Sequence, residues 1–190
     1  MTEKQALRAA LRRRRTDHDA AIPASQRALL FLRPPAPLLD LVPDGAAIGV
    51  YHPVPGEASP LGYARWFAER GHPVALPWFA ARGAAMQFRI WTNPFDDEGL
   101  VKAPYGGLQP AASEPDATPA VLIVPLLGFT ATGQRLGQGG GHYDRYLAHH
   151  SAVVAIGIAW DCQLEAQLPS EPHDMPLRAV VTPTRFYGPF

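Results

Sequence analysis

The chain has 190 residues, 47% of them hydrophobic, a size and composition that fit one domain over residues 1–190 with a core needing no covalent staples. Seventeen basic residues balance seventeen acidic ones, which argues against nucleic acid as a partner. With one cysteine, Cys162, there is no internal disulfide, and no apolar run approaches the ~20 residues that span a bilayer. The first residues, Met1-Thr-Glu-Lys-Gln-Ala-Leu-Arg8, lack the hydrophobic stretch of a signal peptide, so a cytoplasmic protein without membrane partners is expected; a monomer is the expected state, though no residue pattern specifies it. Cys162 reads as a small half-buried filler rather than a reactive thiol.

Residues 3–15 are expected to form a helix. Leu7 and Leu11 sit one turn apart, and Lys4, Arg8, Arg12 and Arg15 follow at i, i+4, i+8 and i+11, which sets a cationic stripe beside an apolar one. A second helix is expected over 25–32, ended by the Pro34-Pro35-Ala36-Pro37 cluster. Residues 46–51 (Ala-Ala-Ile-Gly-Val-Tyr) read as a buried strand, followed by the loop His52-Pro-Val-Pro-Gly-Glu57. The next helix places Leu61, Ala64, Phe67 and Ala68 on one face and closes at Gly71. Residues 73–78 read as a strand, and 86–91 alternate as a half-exposed one. The proline- and glycine-rich stretch 103–120 reads as a long surface loop. Residues 121–127 form an apolar run suited to the centre of a parallel sheet. A glycine-rich loop, a helix over 143–150 and a strand over 153–159 follow.

Strands alternating with helices imply an α/β fold, a mainly parallel sheet covered on both faces. Ligands of such sheets bind beyond the carboxyl ends of the strands. The loop carrying Glu57 and the loop after 121–127 both leave such ends, so they are expected to meet.

The most informative segment is Arg135-Leu136-Gly137-Gln138-Gly139-Gly140-Gly141-His142-Tyr143-Asp144. Its glycines let the backbone turn tightly and bring N–H groups to an anion, and the following helix adds its positive N-terminal end. Arg135 can pair with a phosphate. Asp144 is poorly placed beside a phosphate unless a cation lies between, which points to Mg²⁺. An ATP- and Mg²⁺-dependent enzyme is the reading these residues support.

The chain resembles the 5-formyltetrahydrofolate cyclo-ligases, also called methenyltetrahydrofolate synthetases. Their pattern Pro-x-x-x-Phe-x-x-x-Gly-x-Arg-Leu-Gly-x-Gly-x-Gly-x-Tyr-Asp is met from Pro125 and Phe129 through Asp144. Lys4 and Arg8 match a Lys-x-x-x-Arg start, Tyr51 and Glu57 a Tyr-x₅-Glu stretch, and Gln163, Leu168-Pro169 and His173-Asp174 a late one. Two departures are Thr130, commonly acidic in the family, and His142 in place of an aromatic; residues 80–120 match poorly.

The resemblance implies a three-layer fold like that of sugar-phosphate isomerases and coenzyme A transferases. It also implies conversion of 5-formyltetrahydrofolate to 5,10-methenyltetrahydrofolate with release of ADP and phosphate. Lys4, Arg8, Arg135 and the segment Leu136, Gly137, Gln138, Gly139, Gly140, Gly141, His142 and Tyr143 would hold ATP. Asp144 and Asp174 would hold Mg²⁺, directly or through water. Glu57, His52 and Tyr105 would line the folate pocket.

Arg12 to Arg15 are read as solvated and His173 as structural. Glu57 has an alternative role as a cap of the helix near Ser59, and Asp174 as a plain turn residue. Two rival functions remain at this level: a non-catalytic folate- or nucleotide-binding protein, and a related ATP-dependent ligase acting on another formyl or amide substrate.

Overall fold

The computed structural model describes residues 2–172 and 174–190; His173 lies outside them. Helix α1 (Glu3–Ala21) opens on a capping box in which the Thr2 hydroxyl accepts from the Gln5 N–H and the Gln5 side chain accepts from the Thr2 N–H. It runs past the expected end at residue 15, because the stop signal is Pro23, which holds Ile22 in extended backbone. Residues 16–21 lack an apolar period, but His18 packs its ring on Trp160 at 5.6 Å.

The helix expected over 25–32 shrinks to one turn, α2 (Ala24–Arg27), and α3 (Ala36–Leu39) is equally short. The cause lies at Phe31, whose φ of 56° turns the chain so that its ring enters the core against Tyr63 and Trp160. Tertiary burial of one aromatic outweighs local helix propensity here.

Then follow β1 (Ile48–Gly49), α4 (Leu61–Ala68), β2 (Val74–Trp78), β3 (Gln87–Ile90), β4 (Leu100–Lys102), β5 (Leu108–Pro110), β6 (Asp116–Ala117) and β7 (Val121–Val124). The rest comprises β8 (Gly128–Thr130), β9 (Arg135–Leu136), α5 (His142–His149), β10 (Val154–Ile158), β11 (Leu164–Glu165), β12 (Ala179–Val181) and β13 (Phe186–Tyr187). Among the described residues the main sheet has the order β13-β12-β10-β7-β1-β2-β3-β6. Its centre, from β12 to β2, is parallel, and the edges are antiparallel.

The two faces follow from the period of two along each strand. Val121 and Ile123 of β7 join the core with Tyr63, Ala64 and Phe67 of α4. Leu122 and Val124 point the other way and pack with Tyr146 and Leu147 of α5. Helices therefore cover both faces, as the alternation of elements implies. The stretch 103–120 is not a bare loop: its β5 pairs with β4, just before it, as a hairpin around Tyr105, and its β6 closes the sheet edge on β3. Its prolines and short strands hide any period-two signal. No helix among the described residues is long and apolar enough to cross a membrane.

Candidate active site

Strands β1 and β7 are parallel neighbours, so the chain leaves both at the same edge of the sheet. After β1 comes the His52–Glu57 loop. After β7, Pro125 breaks the strand, and a β8–β9 hairpin intervenes before the glycine loop. Thr130 organises that hairpin, its hydroxyl accepting from the Gln134 N–H at 3.2 Å. An acid at this position is therefore dispensable for the turn. Gly139 (φ 106°) and Gly141 (φ 63°) take the left-handed backbone that the loop needs before α5 begins. Helix α5 starts at His142, one residue before its expected start.

Between these loops lies a cavity of about 660 Å³, within the range of small-molecule sites. Every residue singled out from the sequence as a candidate lines it: Lys4 and Arg8, the loop from Arg135 to Asp144, Glu57, His52, Tyr105 and Asp174. Helix α1 forms one wall. Its cationic stripe touches a different part of the cavity at each turn. Lys4 Nζ lies 3.3 Å from Glu171 and 3.5 Å from Asp174, and Arg8 Nε donates to the Gly137 carbonyl at 3.1 Å. Arg12 Nη2 donates to Gln138 Oε1 at 2.8 Å, and Arg15 Nη1 pairs with Glu57 Oε1 at 3.1 Å.

That last pair corrects, for Arg15 alone, the reading of Arg12 to Arg15 as solvated; Arg12 is exposed. The Arg15 and Glu57 side chains are 3% and 7% exposed, a buried ion pair. The stripe spacing already placed Arg15 on the same face as Lys4 and Arg8, and this was the signal to follow. Arg13 is exposed, and Arg14 reaches out to Glu165. Glu57 does not cap α4 either. Its Oε2 accepts from the Val54 N–H at 3.1 Å, while the α4 cap position is Pro60.

Arg135, 4% exposed, donates Nη2 to Asp144 Oδ1 at 2.5 Å. The same oxygen accepts from the Met175 N–H at 3.1 Å, which brings the segment carrying Asp174 against Asp144. Asp174 Oδ2 accepts from the Glu171 N–H at 2.8 Å, so this aspartate also shapes its own turn. At the opposite end Phe79, Tyr105 and His142 form an aromatic cluster with ring centroids 4.7–4.9 Å apart. The Tyr105 hydroxyl accepts from the Gly83 N–H at 2.7 Å, and His52 meets Asp97 at 3.1 Å and the Trp91 ring at 6.3 Å.

Burial governs the electrostatics. The Tyr51 and Tyr143 phenols are pushed above their ordinary range first by burial and then by the Glu57 charge. His142 is lowered by burial and then by the Arg145 guanidinium, 3.1 Å from its Nδ1. The Cys162 thiol is raised by burial, in keeping with a filler.

The sequence profile of the 5-formyltetrahydrofolate cyclo-ligase family matches residues 1–183. This chain belongs to that family. It is 32% identical over 147 residues to the 5-formyltetrahydrofolate cyclo-ligase of Mycolicibacterium smegmatis, covering 74% of this chain and 75% of that one. It is 52% identical over 69 residues to the Escherichia coli 5-formyltetrahydrofolate cyclo-ligase, a match spanning 35% of this chain and 38% of the length of that relative. The fold matches the Aquifex aeolicus 5,10-methenyltetrahydrofolate synthetase with a TM-score of 0.72 at 21% identity, over 96% of this chain and 93% of that one. The Mycoplasma pneumoniae 5,10-methenyltetrahydrofolate synthetase matches with 0.67 at 19% identity, over 94% and 98%.

Within this cyclo-ligase frame, sequence reasoning passed over Arg12, Arg15, Phe79 and Glu171 as cavity residues. The first two were legible in the helical stripe. Phe79 follows a strand end and Glu171 lies in a loop, and neither carries a local pattern.

Proposed function

We propose that the chain converts 5-formyltetrahydrofolate to 5,10-methenyltetrahydrofolate, consuming ATP and releasing ADP and phosphate. The observation that carries this reading is that one cavity joins two unlike walls. A cationic wall comes from α1 and the glycine loop, and an acid-and-aromatic wall comes from Glu57, Tyr105 and His142. The first suits a triphosphate; the second suits a heteroaromatic ring with N–H donors.

The chemistry asks the protein for positioning and charge neutralisation. A formyl oxygen on nitrogen is a poor leaving group. Transfer of the γ-phosphoryl to that oxygen makes it a good one. The N10 lone pair then attacks the formyl carbon, N10 gives up its proton, and the C–O bond breaks to release phosphate.

In this reading Lys4, Arg8 and the backbone N–H groups of the loop hold the triphosphate. Arg135 braces Asp144 from beneath. Glu57, made rigid by Arg15, accepts from pterin N–H groups, and the aromatic cluster packs the ring system and excludes water.

The residues present fit Mg²⁺. Asp144 Oδ2 and Asp174 Oδ1 have no protein partner among the described residues, and the Met175 N–H on Asp144 Oδ1 sets the residue that follows Asp174 against Asp144. No three His, Cys, Asp or Glu side chains among the described residues form a cage. Mg²⁺ is ordinarily held by one or two carboxylates together with substrate phosphates. When bound, it would neutralise charge on the phosphate oxygens.

The experiment is to incubate the protein with 5-formyltetrahydrofolate and Mg-ATP while following methenyl absorbance. Product appearing with the protein and not with an Asp144→Asn variant supports the reading. Tight folate binding with no product supports the rival binding protein.

A further inference from the structure

The side chain of Gln138 stands exposed at the tip of the glycine loop, yet both ends of its amide are engaged. Oε1 accepts from Arg12 Nη2 at 2.8 Å, and Nε2 donates to Glu57 Oε1 at 3.2 Å. Its partners fix the direction of the amide, since a flip would set N–H against a guanidinium and oxygen against a carboxylate. The same Glu57 oxygen takes Arg15 Nη1. Two cations of α1, the loop tip and the carboxylate beyond β1 thus stand in series.

We propose that Gln138 is a positioning residue that couples the nucleotide and folate subsites, an inference that rests on the function proposed above. Arg12 belongs to the nucleotide side: it lies one turn beyond Arg8, which holds the Gly137 carbonyl at 3.1 Å. Glu57 belongs to the folate side. A triphosphate that draws the loop and α1 together fixes Gln138, and Gln138 in turn fixes the oxygen of Glu57 that faces the pterin. Neither ligand needs to touch the other. Linkage makes the effect reciprocal, so folate binding must tighten nucleotide binding by the same factor. An exposed amide bridging two charged groups contributes little to the stability of the ligand-free fold. Its two bonds therefore matter chiefly when the site is filled.

The test measures 5-formyltetrahydrofolate affinity with and without a non-hydrolysable Mg-ATP analogue, and the analogue's affinity with and without folate. The native chain should show a mutual gain of about fivefold or more, the usual floor for coupled sites. Gln138→Met, matched in length but without donor or acceptor, should cut that factor below about twofold with the melting temperature unchanged. Gln138→Glu keeps an acceptor for Arg12 and sets a carboxylate against Glu57, so it should weaken folate more than nucleotide. The proposal is overturned if Gln138→Met retains the native factor, if it weakens both ligands separately with the factor intact, or if the native chain shows no coupling. Failure of the functional reading is visible separately: the native chain with Mg-ATP and 5-formyltetrahydrofolate then forms no methenyl product.

Discussion

Glu57→Gln perturbs two things at once, and the structure separates their sizes. The substitution removes the negative charge opposite Arg15, whose side chain is 3% exposed. Breaking a buried pair by removing one partner costs about 3–5 kcal/mol, because the remaining charge stays buried. The glutamine keeps one oxygen that can accept from Arg15, so the lower end, about 3 kcal/mol, is expected. For a chain of this size each kcal/mol moves the melting temperature by ~2–4 °C, giving a fall of about 6–12 °C without ligands. The second effect is on substrate. Loss of one charged hydrogen bond to the pterin costs roughly 1.5–3 kcal/mol, so the folate KM should rise about ten- to a hundredfold while the ATP KM moves less. Both are read from one preparation, by thermal unfolding and by steady-state kinetics below the melting range. Adding Arg15→Met in the same background should cost less than the sum of the two single changes, since the pair is then removed together. A full loss of stability with the folate KM untouched would refute the substrate role and leave Glu57 as the structural partner of Arg15. Unchanged stability would refute the buried pair.

Asp144→Asn should retain folate affinity and lose most turnover; an unchanged rate at limiting Mg²⁺ would remove Asp144 from the metal role. His142 is held below its ordinary value of 6.5, so between that value and its lower folded one the unfolded chain binds the extra proton. Native stability is therefore lost as the pH falls through this window. His142→Phe should flatten that part of the pH–melting curve, and a curve of native slope would contradict the burial argument. Cys162 should alkylate more slowly than a free model thiol at neutral pH, and Cys162→Ser should retain activity; rapid labelling that abolishes turnover would oppose its reading as a filler.

How far the sequence could be read depended on whether a residue's partners were local. The run Val121–Val124 and the helix face Ala64–Phe67 carry their own periods, so the sheet centre and its cover were legible. The glycine loop was legible because its chemistry is contained in ten consecutive residues. Phe31 was not, since its left-handed backbone is imposed by Tyr63 and Trp160, far along the chain. The hairpin around Tyr105 was hidden because short strands with prolines show no alternation. Arg15 is the instructive case. Its helical position was correct from spacing alone, but its burial depends on Glu57, 42 residues away, and charge composition taken without that partner points to solvent.

The central claim is that the formyl oxygen is phosphorylated before the ring closes. Its most direct test is to supply 5-formyltetrahydrofolate carrying ¹⁸O in the formyl group, together with Mg-ATP, and analyse the released phosphate by mass spectrometry. One labelled oxygen in each phosphate and one ADP for each methenyl product are expected. Label appearing in water with unlabelled phosphate, or ring closure at full rate with ATP omitted, would contradict the claim.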